Sequence, residues 1–173
     1  MTDKYLVANA SRAGSTAGVA EAIGAELMKD GAQVDVWPVD VVDAITRYDA
    51  VVLGSAVQGS EVLPEALDFV QRYQSALQQR PFAAFLVCIT LAMKKGDEYR
   101  PHVDKWLDPV RSLVRPVSTE VFAGALDIGK VPGFGKRLGF RLGSLFGFTP
   151  EGDHRDWEAV TAWATKLRSL LEG

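Results

Sequence analysis

The 173-residue sequence holds one cysteine, Cys88, so no disulfide forms within the chain, and such sparse cysteine suits a reducing compartment. Cys88 lies inside an apolar run and reads as an inert core residue. Histidine is nearly as scarce. His102 and His154 stand far apart with no cysteine cluster beside either, which argues against a metal centre. No run approaches the ~20 apolar residues of a helical membrane span, and the opening stretch MTDKYLVANAS lacks the apolar length of an export signal. The expected location is therefore cytoplasmic. Basic charge is not in excess either: 19 Lys and Arg against 22 Asp and Glu leave a net charge of −3, so a general nucleic-acid binder is not expected. No Ser-His-Asp order or carboxylate pair calls for hydrolysis, and no catalytic acid or base can be assigned. What remains is ordinary for a folded chain, 47% hydrophobic and 24% charged. That length and composition predict a single domain over 1–173 whose core forms without staples.

The hydrophobic pattern alternates short apolar runs with helical periods. Strands are predicted at KYLVANA (4–10), QVDVWPV (33–39), YDAVVLGSAV (48–57), PFAAFLVCITL (81–91) and VSTEVFAGAL (117–126). Pro38 cannot donate to a ladder and marks the second run as an edge; the fourth is the most apolar and is expected to lie centrally. Between them, Val19, Ile23 and Leu27 set a helix over 15–30 that Gly31 terminates. Leu63, Leu67, Val70 and Leu77 set another over 62–79. Residues 98–114 read as a helix interrupted by Pro101 and Pro109. Asp153 reads as the N-cap of a last helix with Trp157, Val160, Trp163, Ala164, Leu167, Leu170 and Leu171 on one buried face. The stretch 127–152 stays irregular, read as a long loop with one helical turn. This order predicts an α/β fold, a doubly wound five-stranded parallel sheet with helices on both faces and ligands at the strands' carboxyl ends.

At the first of those ends stands ASRAGSTAGVA (10–20). A tight turn plus an N-cap accounts for Ser15 or Thr16 but not for two more hydroxyl and guanidinium donors beside Gly14. Unpaired amides at a helix start carry partial positive charge, and a glycine lets backbone come close, which together suit a phosphate. Other phosphate loops do not match. Gly135-Lys136 is followed by Arg137 rather than Ser or Thr, so it is no Walker A motif, and the first turn lacks G-x-G-x-x-G. Gly54-Ser55 stands where a phosphoacceptor receiver needs aspartate.

The pattern S-x-x-G-x-T at Ser11–Thr16 resembles the FMN-phosphate loop of the flavodoxin family, and VVLGSAVQGSEVLPEALDFV (51–70) is similar to that family's second flavin loop. FLVCITLAMKK, VFAGALD and DWEAVTAWATKL more specifically resemble the short bacterial flavodoxin-type protoporphyrinogen oxidases. The resemblance implies FMN as cofactor. It implies a phosphate cradle of Ser11, Arg12, Ala13, Gly14, Ser15 and Thr16, and a ring-edge loop of Ser55, Ala56, Val57, Gln58 and Gly59, with a peptide near Gly59 meeting flavin N5. It further implies that Thr90, Leu91 and Ala92 approach the pyrimidine side and that Gly124, Ala125 and Leu126 line the ring. The cofactor carries the organic chemistry; the protein positions and tunes it.

Two departures stand out. Ala13 replaces a threonine common in flavodoxins, and no aromatic pair at 56–60 or 90–94 is available to sandwich the ring. An uncovered ring face leaves room for a flat substrate. Three readings follow: an enzyme oxidising protoporphyrinogen or another reduced aromatic with a quinone as acceptor, an electron carrier docking on protein redox partners, and a non-catalytic FMN-binding module. The stretch 128–149 carries Lys130, Lys136, Arg137 and Arg141 with no acidic residue, and interleaves phenylalanines and leucines. It is either plain loop, a segment contacting anionic lipid at the inner face of the cell membrane, or a source of cations for substrate carboxylates.

Overall fold

The computed structural model describes residues 2–172. Its centre is a parallel sheet of β1 (Lys4–Ala10), β2 (Gln33–Pro38), β3 (Ala50–Gln58), β5 (Phe82–Cys88) and β6 (Ser118–Ala123), in the order β2-β1-β3-β5-β6. A two-residue strand, β4 (Glu61–Val62), folds back antiparallel onto the end of β3. The expected doubly wound five-stranded parallel sheet is present. β2 is an edge, as Pro38 requires, whereas β3 rather than β5 occupies the middle; β5 is nonetheless buried throughout because β3 and β6 flank it.

Side chains alternate across each strand and build two cores. Tyr5, Val7, Val52, Phe85 and Phe122 face α1 (Ser15–Leu27) and α7 (Trp157–Leu171). Leu6, Ala8, Leu53, Leu86 and Val121 face the opposite layer, made of α2 (Pro64–Arg72), α3 (Gln74–Leu77), α4 (Gly96–Asp104) and α5 (Asp108–Leu113). α1 and α7 are pinned to each other where Arg168 donates to the Glu26 carbonyl (2.8 Å) and Thr165 to its carboxylate (3.1 Å). Trp163 ties α7 to β6 through Ser118 (3.0 Å) and meets Phe85 and Phe122 edge-on.

Several expectations require correction. The helix expected over 62–79 begins as β4 and then divides into α2 and α3 at Tyr73, whose φ of −107° leaves the helical range. Pro101 sits inside α4 without ending it; the interruption falls at the 3-10 turn Lys105–Leu107, and Pro109 occupies the first turn of α5, where its missing N–H costs nothing. The fifth strand stops at Ala123. Beyond Gly124, β7 (Ala125–Leu126) leaves the sheet and pairs antiparallel with β8 (Gly152–Asp153). Between β7 and β8, the stretch read as loop with one helical turn contains a three-turn helix, α6 (Phe134–Leu145). The N-cap of α7 is Asp156, which accepts from the Ala159 amide (3.0 Å); Asp153 is occupied elsewhere. Trp157 and Leu170 are exposed rather than on the buried face of α7.

Candidate functional site

The parallel register sets the carboxyl ends of the strands level: Ala10 lies beside Ser55, Ala56 beside Val87, and Cys88 beside Ala123. The four segments singled out in the sequence therefore leave the sheet along one edge, around the β1/β3 point where strand order reverses.

The loop Ser11–Gly14 leads straight into α1. Gly14 adopts φ +90° as N-cap and supplies no side-chain cap, and no acidic residue enters the first turn. The first bond along α1 runs from the Gly18 amide to the Gly14 carbonyl (3.0 Å), so the amides of Ser15, Thr16 and Ala17 precede the ladder. The Ser11 hydroxyl accepts from the Gly14 amide (3.1 Å) and shapes the turn. Thr16 is fully buried, and its hydroxyl has no hydrogen-bond partner. A buried orphan hydroxyl beside three free amides is a set of donors waiting for an acceptor. Arg12 is exposed and forms an ion pair with Glu65 in the first turn of α2. A cleft of about 400 Å³ lies against this loop, between Asn9, Arg12, Pro38, Asp40 and Glu65.

The second segment is a hairpin rather than an open loop. Gln58 pairs with Glu61, and the two residues between them, Gly59 (φ +61°) and Ser60 (φ +64°), form the double left-handed turn that suits a two-residue connection. Ser55 does not face outward. Its buried hydroxyl donates to the Ala56 carbonyl (2.7 Å) and accepts from the Leu63 amide (3.0 Å), bracing the hairpin from behind. Ala56 and Val57 are half-buried, while Gln58 and Gly59 are exposed at the tip.

After β5, residues Ile89–Ala92 make a 3-10 turn. Leu91 is buried against the core, while Thr90 and Ala92 are half-buried. Cys88 is buried below this turn, which pushes its thiol up and keeps it protonated. On the far side, Gly124 donates to the Cys88 carbonyl (3.0 Å) and accepts from the His154 amide (3.1 Å), while Ala125 and Leu126 are fixed by pairing with β8. A second cleft, of about 530 Å³, opens beyond β6 between Leu91, Arg100, Glu120, Ala123, His154 and Asp156. Among the described residues no three His, Cys, Asp or Glu side chains gather as metal ligands.

Sequence reading missed Arg155. Its guanidinium is four-fifths buried, grips Asp153 through two nitrogens (2.8 and 2.6 Å) and reaches the Ser15 carbonyl (3.4 Å) in the first turn of α1. In the sequence it stands two residues after Asp153, at the predicted start of the last helix, with nothing in the spacing to tie it to Ser15.

α6 is the outlier of the rim. None of its residues is buried, and Phe134, Leu138, Leu142 and Leu145 form one exposed stripe beside Arg137 and Arg141. The half-buried side holds Phe140, Gly143 and Ser144. No described helix is long and apolar enough to cross a membrane.

A parallel sheet wound on both faces, with an anion-ready helix start at its switch point, defines a nucleotide-type cofactor domain. The model of the flavodoxin domain matches residues 6–138, and the chain belongs to that family. It is an FMN-binding domain of the electron-transfer type. Its fold is similar to that of a flavodoxin from the domain Archaea, at 16% identity and a TM-score of 0.59, covering 98% of this chain and 99% of that one. A flavodoxin from Streptococcus pneumonia TIGR4 matches at 19% identity and 0.61, covering 96% and 98%. Rubredoxin oxygen:oxidoreductase from Desulfovibrio gigas matches at 16% and 0.57; this chain covers 36% of that longer protein and 99% of itself is aligned. No curated protein matches the chain.

Proposed function

We propose that the protein, acting as one unit over 1–173, is an FMN-dependent oxidoreductase that works at an anionic membrane surface. Its substrate is a flat reduced aromatic bearing carboxylates, of which protoporphyrinogen is the leading candidate, and its acceptor is a membrane quinone. The observation that carries this reading is α6: an exposed apolar stripe flanked by cations, rising from the rim on which the cofactor segments converge. An apolar face of that kind, free of acidic residues, suits the headgroup boundary of an anionic bilayer.

In this reading the amides of Ser15, Thr16 and Ala17 and the Thr16 hydroxyl hold the phosphate, with Ser11 and Gly14 shaping the turn around it and Ala13 and Arg12 at its rim. Backbone of Ser55, Ala56, Val57, Gln58 and Gly59 borders the ring on one side, Thr90, Leu91 and Ala92 through their backbone on another, and Gly124, Ala125 and Leu126 on the third. Charged donors to a phosphate are stronger than neutral ones, which is the role left for Arg12 once it leaves Glu65. Bound there, FMN supplies a two-electron couple between substrate and quinone. Each cycle removes two electrons and two protons from the substrate and converts one quinone to one quinol, so no further oxidant is required. Lys136, Arg137 and Arg141 dock the protein on the anionic bilayer surface and attract substrate carboxylates.

A second reading has its own support. The exposed Gln58–Gly59 tip offers an open edge to a protein partner, as suits an electron carrier, with the third possibility a binding module that does no chemistry. Anaerobic spectroscopy separates the three. The FMN-loaded protein is mixed with protoporphyrinogen, then with anionic vesicles containing a quinone. Bleaching by the tetrapyrrole and recovery of colour with the vesicles is the expected result. Bleaching only by a reductase protein assigns the carrier, and no bleaching by either assigns the module.

A further inference from the structure

The start of α1 has little to hold it. Its N-cap is a left-handed glycine without a side chain, and its first turn carries no acidic residue to complement the helix dipole. The same amides that a helix start normally satisfies with a capping side chain are left free here. A turn so exposed to fraying needs support from outside itself.

Arg155 provides that support from 140 residues away in sequence. Asp153 fixes it three times over, accepting from the Arg155 amide (3.0 Å), from Nε (2.8 Å) and from Nη2 (2.6 Å). The Trp157 ring lies beneath the guanidinium carbon at 4.6 Å. From this seat Nη1 reaches the Ser15 carbonyl, and the guanidinium fills the space above Gly18, where a Cβ would collide with Nη1. Asp153 itself belongs to β8 and pairs with Ala125, so the clasp joins three parts: the first turn of α1, the start of α7, and the ribbon from which α6 projects. The aspartate is held well below the usual carboxylate range, down to about 2, chiefly by its hydrogen bonds from Arg155, so the pair stays charged at any physiological pH.

We infer that Arg155, clamped by Asp153 and Trp157, is the positioning residue of the cofactor-phosphate loop, holding the first turn of α1 against the base of the α6 arm. Its work is geometric. The charge of the guanidinium is largely neutralised by Asp153, whereas its planar fork fixes where the helix begins. The inference rests on the reading that the first loop takes the phosphate.

Two measurements test it. Flavin fluorescence quenching gives the affinities of Arg155→Gln, Arg155→Lys and Asp153→Asn for FMN and for riboflavin. The clasp predicts that all three weaken FMN by about tenfold and riboflavin much less, because a lysine keeps the charge but not the fork. A guanidinium acting as a bare cation predicts the opposite for Asp153→Asn, which would free its charge and tighten FMN; that result, or rescue by lysine, overturns the inference. Hydrogen exchange on the cofactor-free protein reads the clasp without any ligand. The amides of Gly18, Val19 and Ala20, the first in the helix ladder, are expected to exchange faster in Arg155→Gln and Asp153→Asn, with those of Ile23 to Leu27 unchanged. Unchanged exchange at the first turn overturns the clasp. If the wild-type protein binds FMN and riboflavin equally, the phosphate reading fails instead, and the exchange result alone decides on Arg155.

Discussion

α1 and α6 are nearly the same object locally. One has 13 residues and the other 12, each begins after a glycine at φ +90° with no side-chain cap, and neither has an acidic residue in its first turn. Each carries an apolar residue at steps of four, Val19-Ile23-Leu27 in one and Phe134-Leu138-Leu142 in the other. Their surroundings are opposite. Val19, Ile23 and Leu27 are wholly buried under β1, β3 and α7, whereas Phe134 is 81% and Leu145 78% exposed. An apolar stripe therefore does not by itself state where it is buried; what stands opposite decides. For α1 that is the sheet, and for α6 the described chain presents nothing.

The contrast sharpens most in stability. Ile23→Ala is expected to cost about 3 kcal/mol, as for other large-to-small changes in a packed core, while Leu138→Ala stays within about 0.5 kcal/mol. Urea unfolding midpoints compare the two directly, and a comparable cost at Leu138 would show that α6 is packed against something. Membrane attachment is expected to reverse the ranking. Replacing Lys136, Arg137 and Arg141 with Gln removes about 1 kcal/mol each near an anionic surface, so sedimentation with anionic vesicles at low salt should fall roughly a hundredfold with the FMN spectrum intact. A wild-type protein that never sediments with such vesicles removes the membrane from the proposed function.

Of these two helices, only α1 meets the cofactor in the proposed function. Ser11→Ala combined with Thr16→Ala should weaken FMN by roughly tenfold or more and riboflavin much less, since only FMN has the phosphate that Thr16 is proposed to hold within the turn Ser11 shapes. Equal losses for both flavins would move the phosphate elsewhere. A smaller difference lies in two glycines with open space around them. Gly14→Ala, at φ +90°, is expected to destabilise by about 1 kcal/mol, and Gly139→Ala, inside α6, to stabilise that helix by about the same amount. Thermal unfolding checks the first and far-ultraviolet circular dichroism the second. The smallest effect concerns acid. Asp153 is lowered in the fold by Arg155, with His154 adding a minor share, so its contribution is fully present above about pH 4 and is lost as pH falls through about 2. Asp153→Asn should flatten that limb of a stability–pH curve, and an unchanged acid limb would mean the pair contributes nothing to folding.

The same contrast separates what the chain alone determined from what its folding decided. Residue order by itself settled the period of each element, the parallel five-stranded sheet, the edge position of β2 through Pro38, and a donor-rich loop at Ser11–Thr16. Those are local properties of backbone and spacing, legible wherever apolar residues recur at two or near four. Tertiary structure decided the rest, because each case depends on a partner outside the element itself. Pairing with Gly152–Asp153 pulled Ala125 and Leu126 out of the fifth strand, and the Leu63 amide turned the Ser55 hydroxyl inward. The core drew in Leu91. Only contact across 140 residues put Arg155 against Ser15. No spacing rule records such a contact, since its energy resides in the space between elements rather than in either of them.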